Sequence, residues 1–357
     1  FTNILDFMVM MPLAPQIMEE FSLSSSSWGW LVASYTLSAT ISGVLALFFI
    51  DRIGRKLFLT ISYTGFLVGT FLCGLAGDFE SLLGARLLAG LFGGSLGTVN
   101  LSIVGDVIPN ERRGQAMGIL MTGFSVASSL GVPVGLKLSE FYGWNFPFIG
   151  VAIVALLVLL GIRLSIPKLT GHIALQTSSP IQGVKEVLKD FNQVKALFFM
   201  FVLILGHFLI IPFIAAYMEG NVGIDKKELF WIYLLGGITA MVTGIISGKV
   251  ADKLGKVKVF IVGVVLTCIP LYLITTMEKS GLVYALFVTT LFFIFNTIRI
   301  VPGMALIIGA ATPKNRGVFM GLRSAIQMFS SSIASLIAGF IMISLPGNSY
   351  ENYDLVG

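Results

Sequence analysis

Among the ionisable side chains inside long apolar runs are Asp6, Arg86, His207 and Arg299. Charge inside hydrocarbon is costly, so a titratable group placed there is a candidate for handling an ion or a substrate. Asp6 lies thirteen residues before the acid Glu19, which at about 1.5 Å per helical residue is roughly 20 Å, close to the middle of a bilayer. His207 lies twelve residues before Glu219, so the two fall at matching depths. Each also precedes a proline, Pro12 or Pro212, that can loosen its helix. A carboxylate removed from water holds its proton more tightly, and a histidine already titrates near neutrality. Both residues can therefore carry a proton. Each can equally be a polar group satisfied by a neighbouring helix, and His207 can be a substrate contact.

Arg86 and Arg299 should not remain unpaired. Either can face Asp6 across a central cavity, so that protonation of Asp6 breaks the pair and shifts the balance between two conformations. An arginine can instead hold a substrate anion, and Arg86 can snorkel outward. Arg299 and Asn296, in Asn296-Thr-Ile-Arg299-Ile-Val-Pro302, are candidate substrate-cavity residues together with Asn100 and Gln327.

The elements that must position these residues follow from composition. Of 357 residues, 56% are hydrophobic and 11% charged, and the mean hydropathy is +0.93. Soluble domains carry about 25% charged residues, and a soluble fold of this length could not hide so much apolar surface. Bilayer helices need about 20 apolar residues. Eleven runs qualify, over about 1–18, 28–50, 57–76, 81–105, 115–137, 147–165, 194–218, 228–250, 258–277, 282–309 and 317–344. They are twice the length of outer-membrane strands and lack alternation, which predicts an all-α integral membrane protein. The first run has no polar flank before Phe1, and Asn348–Gly357 reads as a polar loop with another span expected after it. The expectation is twelve spans, with the last one missing here.

With the first span running outward, sixteen Lys/Arg fall in loops on the inner side, four at outer ends, and three (Arg86, Arg299 and Arg323) within spans. This positive-inside bias sets the orientation. The basic loops are short, scattered and free of interleaved aromatics, unlike a nucleic-acid surface. Cys73 and Cys268 fall within spans and read as small apolar residues. Trp28, Trp30, Trp144 and Trp231 lie near span ends, as interface anchors do. No phosphate-binding glycine loop is present, so ion gradients rather than ATP are the expected energy source. No cofactor and no metal site are expected.

The chain repeats itself. Asp51-Arg-Ile-Gly54-Arg55 recurs as Asp252-Lys-Leu-Gly255-Lys256, 201 positions on, and Arg113-Gly114-Gln-Ala-Met117-Gly118 recurs as Arg316-Gly317-Val-Phe-Met320-Gly321, 203 positions on. Two parallel six-span halves are implied, at 1–166 and 194–357, joined by a polar inner linker over 167–193 with a short surface helix near Ile181–Phe191. Such halves can rock about a shared cavity. Glycine pairs four apart, among them Gly90/Gly94 and Gly131/Gly135, let helices approach closely. Gly54 is expected to permit a tight turn, while Arg52, Arg55 and Lys56 hold that loop at an anionic lipid surface.

These residues resemble the major facilitator superfamily. Asp51-Arg-Ile-Gly-Arg-Lys56 resembles the core of that family's loop motif G-x-L-A-D-R-x-G-R-K, with Leu47 and Phe49 replacing its first Gly and Leu; the second copy keeps Gly248, Ala251, Asp252 and Gly255. Arg86-Leu-Leu-Ala-Gly90, followed by Gly93-Gly94, resembles the span-four motif R-x-x-x-G. Gly131-Val-Pro133-Val-Gly135, with Gly143-Trp144 after it, resembles the span-five motif of proton-coupled drug and sugar exporters, with Val132 where a Gly-Pro pair is usual. The resemblance implies the major facilitator fold. It implies that Asp51 reaches the start of span eleven near Arg316 and Arg323, and that Asp252 reaches the start of span five near Arg113, each contact closing an inner gate. The expected function is proton-coupled efflux of a small organic molecule by alternating access, in a monomer of the bacterial inner membrane with its charged loops cytoplasmic. The partners are substrate, protons and lipid, with no nucleic acid and no enzymatic step. The alternatives are a symporter or facilitator importing a sugar or organic anion, with Arg299 and Asn296 on the substrate, or a receptor that binds without moving its ligand.

Overall fold

The computed structural model describes the chain apart from residues 51, 110, 111, 113–119, 121, 125, 168, 170–179, 313, 314 and 346–348. Its helices follow the apolar runs. α1 (Thr2–Met10) and α2 (Ala14–Glu20) lead to α3 (Ser25–Phe49), α4 (Arg55–Leu75), α5 (Phe79–Gly93), α6 (Leu96–Val107), α7 (Val132–Tyr142) and α8 (Phe146–Ser165). The surface helix α9 (Pro180–Lys189) leads into α10 (Phe191–Phe208), α11 (Ile214–Gly220), α12 (Leu229–Leu254), α13 (Lys256–Thr275), α14 (Leu282–Gly309) and α15 (Arg316–Ile341). An antiparallel hairpin of β1 (Ile343–Leu345) and β2 (Ser349–Glu351) and a short helix α16 (Tyr353–Val356) complete it. At some helix starts a polar side chain takes over orphaned amides. Ser24 accepts from Ser27 N ahead of α3, and Asp78 and Ser81 cap each other's amides ahead of α5. Those Ser81 bonds hold the Asp78 carboxyl below its ordinary value.

Among the described residues nine segments, not eleven, are long and apolar enough to cross a bilayer. One combines α5 with most of α6, and another combines α10 with α11. The first expected span is not among the nine, and it is broken: Pro12 sits in a 3-10 turn, Met11–Leu13, between α1 and α2. The same break recurs in the second half, where Pro212 sits in the 3-10 turn Ile211–Phe213 between α10 and α11. A proline removes one backbone donor and crowds the preceding turn, and both copies respond alike. The fifth expected span runs through residues outside the described set, and continues as a π-helical turn, Ala127–Gly131, into α7.

The two halves meet most extensively where α3 lies along α15, and again where the π turn and α7 meet α12. Small residues permit both contacts. A Cβ on Gly29 would stand 2.7 Å from the Ser335 carbonyl oxygen, and one on Gly237 2.7 Å from that of Ser128. Ser332 Oγ donates to Thr36 Oγ1 at 2.7 Å across the α3–α15 seam. Without a hydrophobic drive between helices in lipid, such close packing and side-chain bonding hold the seam.

One end of the molecule is sealed. Met10, Leu13, Ile17 and Trp28 of the first half form one buried cluster with Ile210, Phe213, Ile214 and Met218 of the second. Lys226 is paired with both Glu19 and Glu219, and Lys227 lies 3.9 Å from Glu140, so ion pairs tie the halves across the top of this layer. Trp28 was expected at the lipid interface. It is instead fully buried, and its Nε1 donates to the Pro212 carbonyl of the other half at 2.9 Å. Trp30 and Trp231 are exposed, as interface anchors are. The polar segment at 349–357 is not a free loop: Tyr350 is bonded through its backbone to the Asn221 side chain, and the buried Tyr353 hydroxyl donates to the Ile210 carbonyl at 2.9 Å.

Candidate functional site

Asp6 on α1 and Arg86 on α5 form a fully buried ion pair, Nη1 to Oδ2 at 2.9 Å. The Arg86 guanidinium also lies over the Tyr35 ring at 4.3 Å, and Asn3 Nδ2 donates to the Tyr35 hydroxyl at 2.7 Å. The pair is only half satisfied: Asp6 Oδ1, Arg86 Nε and the nearby Thr70 Oγ1 are buried without hydrogen-bond partners. Glycines bring the supporting helices close. Cβ atoms on Gly90 or Gly94 would collide with the α3 backbone at Tyr35 and Ala39, and Cβ atoms on Gly131 or Gly135 with Leu5 and Val9 of α1. Pro133 is buried in the first turn of α7, where a missing amide costs little.

A second cluster occupies the other half. Asn296 on α14 bridges two neighbours: its Nδ2 lies 3.1 Å from His207 Nδ1 of α10, and its Oδ1 accepts from Arg299 Nη2 at 2.8 Å. Between the clusters, Phe7 and Phe208, each one residue beyond Asp6 or His207, meet with ring centroids 5.7 Å apart. Spans one and seven thus face each other at mid-molecule. The pairing alternatives divide accordingly: Asp6 takes Arg86 from its own half, and Arg299 stays with Asn296 and His207. Asp6 and Arg86 therefore do not face each other across the two halves. Asn100 is exposed and Gln327 half-buried, and among the described residues no side-chain hydrogen bond joins either to this cluster.

The charged knot after α3 is built differently from the expectation. Arg55 is buried rather than spread on lipid: its Nε donates to Asp106 Oδ2 of α6 at 2.8 Å and its Nη1 to the Ile50 carbonyl at 2.6 Å. Lys56 Nζ donates to the Arg163 carbonyl near the end of α8 at 2.8 Å. Both bases neutralise helix C-termini, where the backbone carbonyls gather negative charge. Arg52 is exposed. Gly54 has φ −55°, open to any residue, whereas its repeat mate Gly255 has φ +93° and needs glycine. Asp51 and Arg113 lie outside the described residues, so neither expected gate contact is seen. Asp252 is exposed and forms no ion pair among the described residues. Arg323 reaches only Met304 Sδ, at 3.6 Å. Sequence reasoning missed Tyr35, Thr70 and Asp106; of these only Asp106, an acid closing an apolar run level with the Arg55 loop, left a visible signal. No group of three His, Cys, Asp or Glu among the described residues could hold a metal ion.

The Major Facilitator Superfamily pattern matches residues 1–195 and 196–350, one match to each half. The chain belongs to this superfamily. It is 25% identical over 336 residues to the uncharacterized MFS-type transporter YceJ of Bacillus subtilis, covering 94% of this chain and 85% of that one. It is 29% identical over 292 residues to the multidrug resistance protein MdtG of Enterobacter lignolyticus, covering 77% and 69%. The crystal structure of a D-xylose–proton symporter superposes with a TM-score of 0.78 at 18% identity, covering 95% of this chain and 88% of that one, which shows the shared fold. As a major facilitator, the chain is a multi-pass membrane protein that moves small molecules.

Proposed function

We propose that this transporter exports a small organic molecule in exchange for protons, with Asp6 as the proton carrier and Arg86 as its conformational counterweight. The observation that carries this reading is the buried Asp6–Arg86 pair, whose carboxylate keeps one oxygen without a partner. An ion pair in such surroundings persists only while both charges do. Protonating Asp6 releases Arg86 and removes the reason for α1 and α5 to hold their present arrangement, a charge change acting on a two-state element. The relatives named for multidrug resistance support the outward direction. The sealed Glu19 end is then the outer side, as the distribution of basic residues implies, in a bacterial inner membrane with the Arg55 loop cytoplasmic.

The test is transport in vesicles. Asp6→Asn should abolish flux driven by a pH gradient while substrate exchange partly survives. A variant that pumps at the wild-type rate rules out Asp6 as the carrier. A second reading, import of a sugar or organic anion, draws on the His207–Asn296–Arg299 cluster and on the fold shared with the xylose symporter. Uptake without proton dependence would favour it.

A further inference from the structure

The second half holds two half-buried arginines that, among the described residues, have no acid bonded to them. Among the described residues Arg299 on α14 bonds only the neutral amide of Asn296, at 2.8 Å, and its Nε is buried without a partner. Arg323 on α15, among the described residues, bonds only the Met304 sulfur, at 3.6 Å, a weak acceptor, and its Nε too is buried without a partner. Met304 stands on α14 eight residues past Asn296, so both guanidiniums are held by side chains of that one helix. Arg299 is ten residues from the Gly309 end of α14, and Arg323 seven from the Arg316 end of α15; at about 1.5 Å per residue they lie roughly 15 and 10 Å deep. Ile300 and Met304 of α14 pack into the same cluster as Leu322 and Ile326 of α15 and Leu203 and Ile204 of α10, so the three helices enclose one region.

Every acid of the second half is elsewhere. Glu219, Asp225, Glu228, Asp252, Glu278, Glu351 and Asp354 all stand in loops or end turns. The contrast with the first half is direct, since there the buried arginine has its carboxylate. Asn296 sharpens it. With its oxygen turned to Arg299, its amide hydrogens face His207 Nδ1. A neutral imidazole accepting there carries its own proton on Nε2, as a donor. Arg299, Arg323 and His207 thus offer donors and positive charge with no free acceptor among them. Buried cations persist in membranes when paired, and guanidinium forks match carboxylate and phosphate.

We infer that Arg299 and Arg323 bind an anionic group, carboxylate or phosphate, on the transported molecule, with Asn296 and His207 as positioning residues for Arg299. This rests on the transport reading above and narrows it: the cargo is an organic anion. Proton site and anion site then occupy opposite halves, on either side of the Phe7–Phe208 contact.

The experiment is ligand-dependent thermal unfolding of the full chain in neutral detergent, with matched pairs as probes: benzoate and benzamide, nicotinate and nicotinamide, phenyl phosphate and phenol. At least one anion should raise Tm with saturable dose dependence while its uncharged mate does not. Arg299→Gln and Arg323→Gln should each weaken that anion at least tenfold. Arg299→Lys, which keeps the charge but loses the fork, should weaken it less and guards against a merely misfolded glutamine variant. Equal effects of anions and uncharged mates, no effect of any pair, or wild-type binding in the arginine variants would each overturn the assignment. Nanodiscs of phosphatidylglycerol and of phosphatidylcholine supply the remaining arm. If phosphatidylglycerol alone stabilises the protein, through these arginines, and the soluble anions do not, the site holds a lipid headgroup and the cargo assignment falls. Binding in detergent needs no proton gradient, so its outcome is independent of the Asp6→Asn flux result.

Discussion

Asp6 Oδ2 stands 2.9 Å from Arg86 Nη1, and the two side chains are 0% and 1% exposed. Two opposite charges, one from α1 and one from α5, are thus sealed together, with Tyr35 beneath the guanidinium. Desolvation and attraction nearly cancel in such a pair, so its worth lies less in stability than in the imbalance left when one charge disappears.

Removing only the arginine strands the carboxylate. Arg86→Gln is expected to cost about 3–5 kcal/mol, read as a lowered Tm in detergent. The double variant Asp6→Asn/Arg86→Gln should recover most of that loss, because no lone charge remains. A double variant no more stable than the single one would mean that the pair holds the helices together by something other than charge balance.

The Arg55–Asp106 bond joins the α3–α4 turn to α6. Asp106→Asn should lower stability by about 1.5–3 kcal/mol, the usual contribution of a hydrogen bond to a charged group. Lys56→Ala, which removes a single bond to a helix-end carbonyl, should cost under about 1 kcal/mol. Equal losses would remove the distinction between a buried and a surface cation.

Trp28 seals the Glu19 end by filling space and by bonding Pro212 O of the opposite half. Trp28→Phe should cost about 1 kcal/mol for the bond, and Trp28→Ala about 3–5 kcal/mol. Spin labels at Glu20 and Lys279, both exposed at this end, should show a longer distance component in Trp28→Ala. The surface pairs of Lys226 and Lys227 contribute only about 0.2–1 kcal/mol each, so Lys226→Ala should leave that distribution nearly unchanged.

Gly90 and Gly84 share α5 but differ in surroundings. A side chain on Gly90 would strike the α3 backbone, while Gly84 has nothing within 4 Å. Gly90→Val should cost at least about 1–3 kcal/mol by overpacking, and Gly84→Val should fold as the wild type does. Comparable yields of folded protein from the two variants would show that α3 and α5 can separate without loss.

The membrane class and the twofold repeat were legible in the sequence because each depends on chain-local quantities: hydropathy over about 20 residues and motif recurrence. The paired proline breaks at Pro12 and Pro212 obey the same local rules. Partnership could not be read locally. Arg86 and Arg299 looked equivalent as mates for Asp6, and Trp28 looked like any span-end tryptophan. Arg55 looked like a surface base because Asp106, its ion-pair partner, lies 51 residues away. Such choices turn on which helix faces cross, at distances of about 3 Å that no sequence spacing specifies. In lipid, where apolar faces are nearly interchangeable, those crossings are selected by small residues, buried hydrogen bonds and charge balance, and only the assembled bundle decides among them.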